Sequence, residues 1–259
     1  MKKFTFRDFL MNLLPVISIG LLIFVWVSFS SKNPHLLATP KMVFDRLIRM
    51  FERPVGGKNI FGHMWFSMRR VFLSLFIAVV IGIGLGFFMA VSRVGKATAG
   101  TLYNLIRPIP PLAWVPMITV WFGIGELSKI ILVTRGGLNP LTENSYTGVR
   151  YADKNLINVG RVAGASKSQL FRMIILPAAL PPIIAGFKNA LSGCFMVTLA
   201  AEMMGAQAGL GFLITRGIMA VDRPIILIGM ISIGIVGALL SAFASYVERI
   251  TCPWIRTIN

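Results

Sequence analysis

Apolar runs about as long as a bilayer is thick constrain this chain more than any motif in it. Residues 13–29, 70–91, 182–204 and 225–247 are dominated by Leu, Ile, Val, Phe and Gly, and a fifth apolar stretch, "RPIPPLAWVPMITVWFGIGE", covers 107–126. Roughly 20 such residues in a helix cross a hydrocarbon core, where every backbone polar group must find its partner within the protein. Apolar residues make up 56% of the chain and charged ones 14%, with a mean hydropathy of +0.77. Soluble domains have roughly 45–50% and about 25%. An all-α, polytopic membrane protein is therefore expected.

Local signals refine this outline. Gly82, Gly84 and Gly86 in the second span permit close helix approach. "SRVGKATAG" reads as a short basic loop. Pro108, Pro110, Pro111 and Pro116 predict an irregular start to the third apolar stretch, followed by helix from about 113 to 122. Between the first two spans, Val43, Leu47, Met50 and Phe51 recur at helical spacing, with Asp45, Arg46, Arg49, Glu52 and Arg53 opposite. That pattern predicts an amphipathic surface helix over 41–53, with Thr39 as N-cap and Pro40 at its first position, stopped by Pro54 to Gly57.

Hydropathy gives five spans and leaves 128–148 in question. The net charge of +17 helps to decide, because basic residues of short loops collect on the cytoplasmic side. Lys2, Lys3 and Arg7, then Arg93 and Lys96, then the basic residues of 149–181, then Arg249 and Arg256 fall on one side only if 128–148 also crosses. Six spans with both termini cytoplasmic follow, although the basic helix at 41–53 would then lie outside. Span-flanking loops explain the positive charge better than nucleic-acid binding does, and no nucleic-acid partner is expected. Cys194 and Cys252 have no metal-ligand or paired spacing and read as free thiols, and His35 and His63 stand too far apart to suggest a metal. The basic lead and apolar run at the start resemble a signal peptide, but the run is long and lacks a small-x-small cleavage site, favouring an uncleaved first span.

The stretch "GASKSQLFRMIILPAALP" (164–181) interrupts the apolar pattern. Read as helix, it puts Leu170, Phe171, Ile174 and Ile175 on one face and Lys167, Gln169 and Arg172 elsewhere. Physics alone allows two readings: a docking element for a partner, or a helix lying on the inner leaflet.

Gly164, nine intervening residues, then Ile174, one residue, Leu176 and Pro177 resembles the second half of the loop motif of permease subunits in binding-protein-dependent ABC importers. "RPIPPLAWVPMITVWFGIGELSKI" (107–130), "GVR" (148–150), "LAAEMMGAQAGLGFLI" (199–214) and "RITCPW" (249–254) are similar to the nitrate, sulfonate and taurine branch, so the resemblance covers about residues 67 to 254. It implies a type I importer transmembrane domain acting as a homodimer of six-span subunits in a bacterial inner membrane. Two cytoplasmic ATPase subunits would bind ATP and Mg, a periplasmic or lipid-anchored solute-binding protein would deliver substrate, and this chain would hold no cofactor. The most fitting substrate is taurine or another organic sulfonate, with nitrate, bicarbonate or a vitamin precursor as the alternative within the same family. Residues 1–66 would form a first span with an external helix, 67–250 the permease core and 251–259 a cytoplasmic tail. Within the loop at 149–181, the resemblance assigns ATPase coupling to Gly164, Ala165, Ser166, Gln169, Leu170, Phe171, Ile174, Leu176 and Pro177. Gly164 would make a sharp turn and Pro177 would start the next helix. The motif's Glu-Ala-Ala is replaced by Asn158-Val159-Gly160, so docking would rest on shape and on the Leu170/Phe171 face.

If 128–148 is helical, a 100° step puts Arg135, Asn139, Thr142, Glu143 and Tyr146 on one polar stripe, with Leu138, Leu141 and Ser145 away from it. Ionisable groups at membrane depth face water-filled cavities or partners, so the stripe is a candidate translocation path in which Arg135 attracts an anion. The other reading is mutual neutralisation of Arg135 and Glu143 in a dimer interface, and Gly136, Gly137 and Pro140 could break the helix. Glu202, near the end of its span, is either a path residue or a carboxylate reaching the interface. Trp114, Trp121 and Phe122 fit packing and anchoring better than a substrate cage. The chain has no GxxxxGK[ST] phosphate loop and no paired acid/base cluster, which argues against an ATPase or a membrane enzyme. An ATP-independent carrier or channel is the rival class.

Overall fold

The computed structural model describes residues 6–254, and every regular element among them is helical. In chain order these are α1 (Phe6–Lys32), α2 (Pro40–Glu52), α3 (Ile60–Val91), α4 (Arg93–Ala97) and α5 (Ala99–Ile106). A 3₁₀ turn (Pro111–Trp114) leads into α6 (Val115–Phe122), followed by α7 (Glu126–Arg150), α8 (Lys154–Val162) and α9 (Lys167–Leu170). A π turn (Phe171–Ile175) joins α9 to α10 (Leu176–Met203), and α11 (Leu210–Met219) and α12 (Arg223–Thr251) complete the chain. Lys2, Lys3 and Arg256 lie outside the described residues.

Four helices are long and apolar enough to cross a membrane: α1 from Leu13, α3, the unbroken Lys167–Met203 helix and α12. The α4–α5 and Pro111–Phe122 pair makes a fifth only if a break bent by 89° counts as one span. The 25 residues of α7 reach about 37 Å at 1.5 Å per residue, enough to span, but its polarity keeps it outside an apolar-helix criterion. Length and composition thus give four to five spans where the sequence led us to expect six. Pro140 does not break α7, which runs on through Gly136, Gly137 and Pro140.

The core is built on α7, which packs most extensively against α10 and α3. Small residues set the approach: a Cβ on Gly82 would lie 2.8 Å from Leu141 Cβ, and one on Gly86 2.7 Å from Ser145 Cβ and from Thr142 O. Gly84, between them in sequence, faces open space. On the other side of α7, Gly136 and Gly193 meet backbone to backbone. The apolar side chains of α1, by contrast, stand exposed along most of its length, as expected of a lipid-facing helix. Both cysteines are free and buried.

Two local expectations need correction and a third needs qualifying. "SRVGKATAG" is helical rather than a loop: Ser92 caps α4 by accepting from Gly95 N, and α4 turns back so tightly that a Cβ on Gly95 would lie 2.5 Å from Phe88 O. Pro177 stands in the first turn of α10, as expected, but α10 follows α9 and the π turn without a break, so that Lys167–Met203 is one continuous helix. The proline lacks an N–H for Met173 O and its ring would collide there. The chain answers with the preceding π turn, in which Leu176 N–H reaches back to Phe171 O. Finally, α2 has the expected Thr39 cap but is more than a surface helix. It buries Val43 and Met50, and Arg46 pairs at 2.8 Å with Asp222, the N-cap of α12.

Candidate translocation path and coupling element

The polar stripe on α7 exists, and most of it faces α5 and the following turn. Arg135 Nη1 donates to Asn139 Oδ1 (2.7 Å) and Nη2 to Ile106 O (2.8 Å). Asn139 Nδ2 donates to Arg107 O and accepts, through its backbone oxygen, the Tyr103 hydroxyl. Glu143 pairs with Arg107 at 2.6 Å, so Arg135 and Glu143 do not neutralise one another within the chain. Tyr146 lines a polar cleft with Glu143, Arg107, Tyr103, Asn104 and Lys96. Thr142 departs from the stripe: it is fully buried against Gly82, its Oγ1 has no protein partner, and it also walls the cleft beside Arg135. Two adjoining apolar clefts share Ile81, Ile106, Arg135 and Leu138, and Trp114, Trp121 and Phe122 line the first. Arg107 and Tyr103 were not singled out in the sequence: Arg107 opens the stretch read as an irregular start, and Tyr103 lies in 101–106, between that stretch and the segment read as loop.

Glu202 fits neither role considered for it. It is 1% exposed and enclosed at the opposite end of the bundle from α8 and α9. Its carboxylate accepts from Ser67 Oγ (2.7 and 2.9 Å), Arg70 Nη1 (2.7 Å) and Gly211 N (2.9 Å). Arg70 also donates to Ala208 O and, through Nε and Nη2, to both oxygens of Glu126. The bend before α11 belongs to the same cluster: Gly209 has φ +133°, where a Cβ would overlap the Glu202 carboxylate. His63 Nδ1 lies 3.1 Å from Gly209 N and Nε2 3.0 Å from Val55 O. The amide can only donate, so Nδ1 accepts and Nε2 carries the proton. This cluster ties α3, α7, α10 and α11 together. Of its members only Glu202 had been marked as a candidate in the sequence, and His63 had been set aside as a metal ligand, since the partners come from distant segments with no shared periodicity.

At the basic end, α8 and α9 form two short helices joined at Gly164, whose φ of +80° is the left-handed turn expected of it. Ser166 caps α9 with a reciprocal box: Gln169 N donates to Ser166 Oγ, and Ser166 N to Gln169 Oε1. The Leu170/Phe171 face turns inward, which corrects the expectation that docking rests on it. Leu170 is buried, Phe171 meets Phe87 edge-on at 5.9 Å, and Ile175 packs on the Val149–Ala179–Ile183 cluster. Gly160 explains part of the departure at 158–160, because a Cβ there would lie 2.6 Å from Leu170 and 2.8 Å from Ile174. What remains outward is the far side of α8, where Leu156, Val159 and Val162, spaced by three, are 53%, 66% and 91% exposed, together with Met173 in the π turn, 73% exposed. Ala165 is half-buried, Leu176 and Pro177 are partly covered, and Lys167, Ser168 and Gln169 are exposed.

Long apolar helices around a polar-striped one, with a two-helix element projecting from the basic end, define a membrane transport subunit. The chain belongs to the family of binding-protein-dependent transport system inner membrane components, which it matches over residues 78–257. It is 31% identical over 242 residues to the taurine transport system permease protein TauC of Escherichia coli, covering 92% of this chain and 88% of that one. It is 30% identical over 244 residues to the nitrate import permease protein NrtB of Synechocystis sp., covering 92% and 89%. A solved amino acid ABC transporter chain, 19% identical, shares its fold with a TM-score of 0.64 over 78% of this chain and 97% of that one. The chain is a permease subunit of a binding-protein-dependent ABC importer.

Proposed function

We propose that this chain pairs with a second copy of itself to form the membrane path for a small anionic or zwitterionic solute, most fittingly taurine or another organic sulfonate. ATP and Mg would be held by two partner ATPase subunits, and a periplasmic or lipid-anchored binding protein would deliver the solute. Neither catalysis nor a cofactor falls to this chain. The membrane is a bacterial inner membrane, with both termini and the α8–α9 end cytoplasmic. The basic character of that end, where Arg93, Lys96 and Arg150 line one cleft, supports this orientation.

The observation that carries the reading is the exposed apolar strip Leu156–Val159–Val162 on α8. It stands on an element rigidified by the Ser166–Gln169 box and by the inward packing of Leu170 and Phe171. An exposed apolar strip marks a protein or a membrane contact; we read this one as the ATPase seat, because a rigid helix pair can pass ATPase closure on to α10 as a rigid-body movement. The polar face of α7, with Arg135, Asn139, Glu143 and Tyr146, then lines the path, and Thr142 walls it. Gly164 provides the test. Proline requires φ near −65° and cannot hold the +80° turn, whereas alanine meets no neighbour there and costs about 1–2 kcal/mol of backbone strain. Gly164→Pro should lose both ATPase co-purification and uptake, with Gly164→Ala keeping both in part. Retention of ATPase and uptake by Gly164→Pro would remove the coupling role. Nitrate or bicarbonate in place of a sulfonate would leave the same machinery with a different solute.

A further inference from the structure

The helix α2 carries more apolar surface than the protein covers. A step of 100° per residue gathers Met50, Val43, Leu47, Phe51, Phe44 and Ile48 into one arc of about 160°. The first half of that arc is closed: Val43 and Met50 are buried and Leu47 packs beside them, in the cluster that also holds Ile60 at the start of α3. The adjoining Phe51, Phe44 and Ile48 are exposed. Lys41 borders this uncovered half, and Arg49 and Arg53 stand exposed further round with Asp45 and Glu52.

The direction of the uncovered half is fixed at both ends of α2. Arg46 holds Asp222 at 2.8 Å, and Trp26 Nε1 donates to Ala38 O at 3.0 Å, just before the helix begins at Pro40. Trp26 lies six residues before the end of α1, about 9 Å along its axis, so the linker is folded down beside the span instead of rising into water. At the other end, the Phe51 ring meets that of Phe61, the second residue of α3, with 6.1 Å between centroids. Phe61 heads a row of exposed aromatic side chains, continued by Trp65, Phe72 and Phe76, which a 100° step places within about 60° on one face of α3. That helix is long and apolar enough to cross a membrane, and an exposed aromatic row on such a helix faces lipid. Phe51, Phe44 and Ile48 extend this lipid-facing surface past the start of α3.

We propose that α2 is a membrane-interface helix. Phe44, Ile48 and Phe51 enter the boundary between phospholipid headgroups and acyl chains, and Lys41, Arg49 and Arg53 meet the phosphates beside it. Continuity with the α3 row favours lipid over the solute-binding protein, which would approach from the aqueous side. The leaflet is the outer one in the orientation proposed above, whereas the seating itself does not depend on that orientation.

Spin labelling of the full-length chain, purified with any ATPase that accompanies it and placed in nanodiscs of phosphatidylethanolamine and phosphatidylglycerol, provides the test. The label is carried by Phe44→Cys or Ile48→Cys on the apolar face and by Asp45→Cys or Arg49→Cys on the polar one. The wild-type chain, whose two cysteines are buried, gives the background. Relative to a water-soluble nickel chelate, oxygen should collide several-fold more with labels at 44 and 48 than with those at 45 and 49. Equal ratios at all four positions would overturn the proposal by placing the face in water. Shielding of the labels at 44 and 48 from both reagents would overturn it by placing protein there: a second copy, or the binding protein if shielding appears only when that protein is added. Phe44→Trp, which keeps the face apolar, gives an independent reading. Phospholipid brominated near the headgroup should quench its added fluorescence, and no added quenching would likewise overturn the proposal. Neither measurement needs transport, so the seating of α2 stands or falls apart from the coupling and substrate readings.

Discussion

Arg70 Nη1 lies 2.7 Å from Glu202 Oε1 across 132 positions of sequence, with the two residues 4% and 1% exposed. The same guanidinium grips Glu126, whose side chain is 58% exposed. One arginine thus holds a fully buried carboxylate and a half-free one, and the two bonds differ in what their loss leaves behind. Arg70→Ala strands Glu202 in the interior without its cation and should cost about 3–5 kcal/mol. Glu126→Gln leaves Arg70 on Glu202 and should cost no more than about 1 kcal/mol. Thermal unfolding of the purified chain checks both, and similar losses for the two variants would contradict a cluster centred on Glu202.

The approach of α3 and α7 depends on which glycine is changed. Gly86→Ala places a methyl 2.7 Å from Thr142 O and should destabilise by about 1–3 kcal/mol, the usual cost of overpacking. Gly84→Ala meets nothing within 4 Å and should leave the melting temperature unchanged or slightly raised, because alanine reduces the freedom of the unfolded chain.

The two sides of the α8–α9 element should respond in opposite ways. Val162→Asp alters a side chain that is 91% exposed, so it should abolish ATPase co-purification without changing the melting temperature. Leu170→Asp buries a carboxylate against α8 and should lower stability by several kcal/mol, the penalty for an unpaired buried charge. ATPase retention by Val162→Asp together with its loss in a stably folded Leu170→Asp would restore docking to the Leu170/Phe171 face.

Features written in short-range patterns were legible in the sequence. The Thr39 cap, the irregular turn before α6, the left-handed Gly164 and the 100° alignment of Arg135, Asn139, Glu143 and Tyr146 each depend on a few neighbouring residues. Features set by tertiary packing were not. Leu170 and Phe171 formed a credible docking face by periodicity, but periodicity shows that a helix has an apolar side and not whether that side meets a partner or its own chain. Gly160 and Phe87, which cover it, lie in other elements. The α4–α5 segment was hidden by its glycines and basic residues, because Gly95 signals close approach to Phe88 O rather than a flexible loop. Thr142 shares the stripe's angle on a helical wheel, yet its side chain is claimed by the Gly82 seam.

The central claim is that this permease moves its solute only through an ATPase docked on α8. Taurine uptake into right-side-out membrane vesicles from cells making the tagged wild-type chain, supplied with the binding protein outside and loaded with ATP, with or without vanadate, inside, and measured alongside ATPase recovered on the tag, tests it most directly. The account predicts that an ATPase is recovered with the chain and that uptake stops when ATP hydrolysis is blocked. Solute uptake by vesicles holding this chain and no ATPase, undiminished by vanadate, would contradict it.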